Sequence, residues 1–221
     1  LRERYGISTE GNELIIISGA QQGADLAAKV LVNEGDTVLC EDPSFIGCLN
    51  TFRSYRCNLV GIEMESDGLN LEQLERAMRE QPNVKLLYLI PNFQNPTGIT
   101  TSLEKRQAIL ELANRYNVVI LEDNPYGDLR FSGSPVPSIK SMDTTGAVIY
   151  NGSFSKILAP GLRVGFLLAP TELVGKLTVG KQCADVHTNI LAQMICHRWL
   201  TSCDLDAHLQ RISSIYKGKC Q

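Results

Sequence analysis

Short, uninterrupted apolar runs alternate along the sequence with segments whose apolar residues recur at helical spacing. Residues 14–17 form such a run, ending at Ser18-Gly19. After it, Ala27, Val30 and Leu31 mark one face of a helix expected to close at Gly35. Strand-like runs follow at residues 37–40 and 58–62. Asn70 is a good N-cap for a helix with Leu71, Leu74 and Met78 on one face. Residues 84–90 read as a strand, and Thr101-Ser102-Leu103-Glu104 as a capping box opening a helix that carries Ile109, Leu112, Ala113 and Tyr116. Residues 118–121 and 147–150 are two more strands, residues 132–137 a surface loop rich in Gly and Pro, and residues 209–216 part of a final helix. Strands that are apolar throughout need cover on both faces, because a sheet with one wet face would alternate apolar and polar residues. The pattern predicts an α/β fold of three layers, doubly wound around a mostly parallel sheet.

A chain of 221 residues, 43% of them hydrophobic, can bury one sizeable core. Its 21 Lys and Arg against 24 Asp and Glu give a formal net charge of −3 with no block of one sign, so this segment is not expected to bind nucleic acid. No apolar run approaches the ~18 to 20 residues that cross a bilayer, so no membrane segment is expected. Seven cysteines, with no Cys-x-x-Cys pair and only 3 histidines, point to reduced thiols in a cytoplasmic protein and to no metal site.

In open parallel sheets ligands bind beyond the carboxyl ends of the strands, so the polar residues found there carry the chemistry. Ser18-Gly19-Ala20-Gln21-Gln22-Gly23 joins a strand to a helix; its free N–H groups and the positive helix end either hold a phosphate or serve tight packing. Asn95-Pro96-Thr97-Gly98 is a turn after the strand that ends near Ile90. Asp123 follows another apolar run, with Tyr126 three residues on; such a carboxylate is a cap, an ion-pair partner or a catalyst. Ser153-Phe154-Ser155-Lys156 comes straight after the strand ending at Tyr150, where a lone Lys is commonly just solvated. Since each lands at a strand's carboxyl end, the four are expected to line one crevice. A Lys amine that condenses with an aldehyde, a carboxylate that keeps a pyridine nitrogen protonated, and a helix N-terminus with hydroxyls and a guanidinium for a phosphate together suit pyridoxal 5′-phosphate.

Through Asn95-Pro96-Thr97-Gly98, Asp123-Asn124-Pro125-Tyr126 and Ser153-Phe154-Ser155-Lys156 continuing into Pro160-Gly161-Leu162-Arg163-Val164-Gly165, the sequence resembles the large domain of fold-type-I, pyridoxal-phosphate-dependent aminotransferases of class I and II. The resemblance covers essentially the whole chain. It implies that Lys156 is the Schiff-base lysine, Asp123 the partner of the pyridine nitrogen, and Asn95 and Tyr126 donors to the phenolic oxygen. Ala20 and Gln21 would give backbone N–H groups to the phosphate, Ser153, Ser155 and Arg163 side-chain contacts, and Phe45 a ring stacked on the pyridine, its alternative being a core Phe. Many relatives have Tyr or Trp in place of Phe45. Thr188 and Asn189 lie where some relatives approach the neighbouring subunit's site. The implied function is transfer of an amino group from an α-amino acid to a 2-keto acid by a homodimer of the branch that includes aminoadipate and aromatic or branched-chain aminotransferases. Residues 1–221 are expected to be a large-domain fragment without the N-terminal segment and the C-terminal small domain, and with little turnover of their own. Two alternatives share the same cofactor contacts: the effector domain of a winged-helix transcription regulator, and a fold-type-I lyase.

Overall fold

Neighbouring residues of a strand point to opposite faces of its sheet, and in this protein both faces are covered. The structure, a computed structural model, describes residues 1–220. In chain order the elements are α1 (Arg2–Tyr5), β1 (Asn12–Ile17), α2 (Ala20–Leu31), β2 (Thr37–Asp42), α3 (Ile46–Ser54), β3 (Asn58–Glu65), β4 (Gly68–Leu69), α4 (Leu71–Glu80) and β5 (Val84–Leu89). They continue as α5 (Leu103–Tyr116), β6 (Val119–Asp123), α6 (Ile139–Met142), β7 (Val148–Ser153), β8 (Gly165–Pro170), α7 (Thr171–Asp185), α8 (Ile190–Ser202) and α9 (Leu205–Cys220). The strands form one sheet in the order β1-β8-β7-β6-β5-β2-β3-β4. The pairs from β7 through β3 are parallel, whereas β8 runs antiparallel to both β7 and β1, and β4 antiparallel to β3.

Strand parity sorts the apolar residues into two cores. Val38, Leu86, Tyr88, Leu121, Ile149 and Leu167 pack beneath α2, α3 and α7 with Ala24, Ala27, Phe52 and Leu177. Leu39, Leu87, Leu89, Ile120 and Val148 face the other way, onto Leu74, Met78, Ile109 and Ala113 of α4 and α5 and Ile139 of α6. Each fully buried aliphatic or aromatic side chain contributes ~1.5 to 3 kcal/mol, so most apolar residues of the central strands serve one core or the other, while Tyr150 and Leu168 pack with Ile7 in a smaller cluster. The α/β, doubly wound, mostly parallel sheet is thus present, and the covered faces are why its strands do not alternate.

Several local expectations need correction. Helix α2 ends at Leu31 with an extended Val32, and Gly35 lies outside it, its N–H bonded to the Arg56 carbonyl in the turn into β2. The cap of α5 is shifted by one residue: Ser102, not Thr101, accepts the backbone N–H of Lys105, so Glu104 does not close a capping box. Strands β6 and β7 run on to Asp123 and Ser153, which puts these polar residues inside the sheet. Strand β8 and helices α3, α7 and α8 were not foreseen as separate elements. No described helix is long and apolar enough to cross a membrane.

The antiparallel turn-back of β8 brings backbone onto backbone. A Cβ on Gly165 would lie 2.7 Å from the carbonyl oxygen of Gly152 and 3.2 Å from the amide nitrogen of Ala20, atoms that cannot swing aside. Gly165→Ala is therefore expected to cost about 1 to 3 kcal/mol or more. Gly175→Ala, on α7 with nothing within 4 Å of the new methyl, should leave stability unchanged or slightly higher. Urea denaturation of the two variants checks this, and equal midpoints would contradict the close approach.

Candidate active site

Asp123, the last residue of β6, shares strand parity with Leu121 and so faces α2, as do Tyr88 on β5 and Asn151 and Ser153 on β7. Its carboxyl is buried, accepting the Tyr88 hydroxyl at 3.0 Å on Oδ2 and the Asn151 amide at 3.1 Å on Oδ1. Burial outweighs these two hydrogen bonds and pushes the carboxyl up to about 7, since no cation pairs with it among the described residues. Glu122, of opposite parity, is turned to the other core, where it accepts the backbone N–H groups of Ile139 and Lys140 at 2.9 and 2.8 Å.

Asn151 also donates to the carbonyl of Ala20 at 2.9 Å, tying Asp123 to the first turn of α2. That helix starts without a side-chain cap at Gly19, whose φ of 81° and ψ of 161° suit only glycine. A Cβ there would also overlap the Arg163 guanidinium. The backbone N–H groups of Ala20 and Gln21 find no protein acceptor among the described residues. Beside them Arg163, held at a positive φ of 52° after the Pro160–Leu162 turn, donates to the Ser155 hydroxyl at 3.1 Å and to the Ser18 carbonyl at 3.5 Å. Ser153 Oγ accepts the Ser155 N–H at 3.1 Å. No carboxylate neutralises Arg163 among the described residues. N–H groups, hydroxyls and a guanidinium converging on a helix N-terminus fit a phosphate.

Asn95 Nδ2 lies 3.4 Å from the hydroxyl of Tyr126, a half-buried phenol that burial keeps above its ordinary pKa. Lys156 is exposed, its Nζ 5.9 Å from the centre of the Tyr126 ring. Both line a cleft of about 500 Å³ with Phe93, Phe131 and Tyr216. Phe45 is partly buried just before α3, its ring over Gly47 and against the α2-side core. Thr188 is buried with its hydroxyl 3.2 Å from that of Ser18, and Asn189 caps α8 through the N–H of Ala192.

Four residues at this end of the sheet were not singled out from sequence: Tyr88, Asn151, Glu41 and Gln94. Glu41 is buried and accepts the Ile90 N–H and the Gln94 amide, both at 3.1 Å, while Gln94 accepts from Thr97 and donates to the Pro43 carbonyl. Burial pushes Glu41 up to about 8. For Tyr88, Asn151 and Glu41 the signal was available, since a polar group interrupting, or directly ending, a strand apolar on both faces needs a buried partner; Gln94, in the loop after β5, carried none.

A buried carboxyl without a cation, a cradle of unspent donors joined to it through Asn151, and an accessible amine fit one molecule that carries a protonatable ring nitrogen, a phosphate and an aldehyde. Residues 1–212 match the family described as aminotransferase class I and II. The chain belongs to this family. It is 41% identical over 99% of its length to aromatic-amino-acid aminotransferase 1 of Thermococcus litoralis, covering 54% of that protein. Its structure superposes with a TM-score of 0.95 on Pyrococcus horikoshii kynurenine aminotransferase in complex with PMP, at 39% identity over 99% of this chain and 55% of that one. The HTH-type transcriptional regulator YdfD of Bacillus subtilis is 33% identical over 94% of the chain, which covers 43% of it. The chain thus spans about half the length of the relatives it matches.

In this aminotransferase-family chain, Asp123 and Glu41 keep their protons when folded over a range in which the unfolded chain has lost them. With folded values above unfolded ones, the stability they contribute is full below about pH 4 and is lost as pH rises towards 7 to 8. The cofactor-free chain should therefore lose stability between pH 5 and 8 through these groups. Asp123→Asn should flatten that slope, which thermal unfolding across the range measures; parallel curves for parent and variant would contradict a buried, proton-holding Asp123.

Proposed function

We propose that residues 1–221 form the cofactor-binding large domain of a pyridoxal-phosphate-dependent aminotransferase that moves an amino group from an α-amino acid to a 2-keto acid. The carrying observation is Asp123: a carboxyl buried without a cation at one end of a donor cradle is suited to a protonated pyridine nitrogen. In this reading Lys156 holds the cofactor through its amine, and Ala20, Gln21, Ser153, Ser155 and Arg163 hold its phosphate. Asn95 and Tyr126 hydrogen-bond its phenolic oxygen, and Phe45 packs on the ring. When bound, pyridoxal phosphate supplies an aldehyde that condenses with amines and a cationic ring that takes up the electron pair left on the substrate α-carbon.

The chain's own groups do the rest. Asp123 stays ionised against the ring nitrogen, aided by Tyr88 and Asn151, and so keeps that nitrogen positive. The Lys156 amine, once free, would take the substrate α-proton and deliver it two bonds away, to the cofactor's C4′. Asn95 fixes the Tyr126 hydroxyl. In this reading the whole protein is a cytoplasmic homodimer, and aromatic or 2-aminoadipate side chains are the first substrates to try. A second reading is favoured by one observation, the similarity to YdfD: the same cradle in a transcription regulator would sense an amino compound without net transfer.

The test is chemical. Pyridoxal phosphate added to the folded chain and fixed with borohydride should label Lys156, and Lys156→Ala should lose the label; label spread over surface lysines, unchanged in the variant, would overturn the assignment. In the whole protein, Asp123→Asn should slow α-proton exchange by ~10²- to 10³-fold at saturating cofactor. Net transfer to a 2-keto acid supports the enzyme. Cofactor binding without transfer supports the regulator.

A further inference from the structure

Behind the phosphate cradle lies a hydrogen-bonded polar cluster, with Lys181 buried and Asp185 exposed, that the reaction does not use. Lys181, on α7, is only 4% exposed, and its ammonium donates to Gln22 Oε1 at 2.9 Å and to Asp185 Oδ1 at 2.8 Å. The same Gln22 oxygen accepts the backbone N–H of Ser18 at 2.7 Å, and the Gln22 amide donates to Asp185 Oδ2 at 2.9 Å. Ser18 Oγ donates to that carboxylate oxygen at 2.7 Å. With Arg163 on its carbonyl, every polar atom of Ser18 is bound.

Burying the Lys181 ammonium is costly, and its partner Asp185 lies exposed, where an ion pair contributes little, so the two are poorly explained as stability devices. Nor do they act by attracting an anion, because the pair carries no net charge. What the cluster determines is position. Gly19 has wide conformational freedom, and the helix it opens has no side-chain cap, so with Asn151 holding the Ala20 carbonyl on one side, the direction of the Ala20 and Gln21 N–H groups depends on how Ser18 is held on the other.

We infer that Lys181 and Asp185 are positioning residues for phosphate recognition: through Gln22, and through the Asp185 bond to its hydroxyl, they fix Ser18, and so aim the N–H groups at the start of α2. The inference rests on the phosphate site of the proposed function. Asp185 is suited to the task because hydrogen bonds from Lys181, Ser18 and Gln22 outweigh its partial burial and hold it ionised, down at about 2.

The experiment compares pyridoxal phosphate with pyridoxal, which lacks the phosphate but can use the same Lys156 amine, in equilibrium titrations of the whole chain and its variants. Lys181→Met keeps length and loses the charge; Ser18→Ala removes one hydroxyl and leaves Lys181 and Asp185 paired. Lys181→Met should weaken pyridoxal phosphate by roughly tenfold or more and leave pyridoxal within about twofold. Ser18→Ala should shift the same ratio in the same direction by a smaller factor, which keeps the inference testable if Lys181→Met does not fold. Equal weakening of both ligands would mean a general structural role and overturn the inference. So would an unchanged preference for the phosphate in both variants. If the parent chain binds the two ligands equally well, the phosphate-site reading itself fails, an outcome distinct from either of these.

Discussion

Burial of the Asp123 carboxyl is the interaction around which this end of the molecule is arranged. A carboxyl with no access to water must find donors, a cation or a proton. Tyr88 and Asn151 supply two donors from neighbouring strands, and the proton is retained to about pH 7 because no cation is at hand among the described residues. Asn151 then reaches the Ala20 carbonyl, so one side chain connects the carboxyl to the uncapped start of α2. The distance between a carboxyl and a helix N-terminus is thereby fixed by the sheet and not by a loop.

The loops at the carboxyl ends of the strands are held by buried polar side chains. Arg106, fully buried on α5, donates to the carbonyls of Thr101, Pro91, Val136 and Pro137 and to the Asn92 side chain. Asn92 passes the chain of bonds to Asn124, and Asn124 to the Tyr150 hydroxyl. Irregular backbone cannot satisfy its own carbonyls, so one guanidinium with five donors does so for several turns at once. Burial without a carboxylate partner brings Arg106 down to about 10, and it still carries its charge at neutral pH. The segment after Asp123, with Asn124 and Tyr126, is thus braced from the α5 side while Asp123 itself is braced from the α2 side.

Much of the architecture was legible in the sequence because it repeats locally. Runs such as Leu86-Leu87-Tyr88-Leu89-Ile90 are apolar at every position, which happens only where both faces are covered, and the sheet's two cores divide these residues by parity. Most of the candidate site residues were legible as polar groups near strand ends. Boundaries were not: Asp123 and Ser153 belong to their strands, and the α5 cap moved to Ser102, because capping depends on which hydroxyl meets an N–H and both Thr101 and Ser102 carry one.

The sequence by itself determined six of the strands and the helices α2, α4, α5 and α9, that the sheet is covered twice, and which reactive groups end the strands, since each depends on periodicity or residue type over a few positions. Tertiary structure alone decided that β8 turns back antiparallel, that Arg163 meets the Ser18 carbonyl across 145 residues, and that Asn151 bonds Asp123 and Ala20 together. It also decided that Lys181 is buried against Gln22 and Asp185. These contacts join segments far apart in the chain, and their geometry follows from close backbone approach and side-chain packing that no local pattern records.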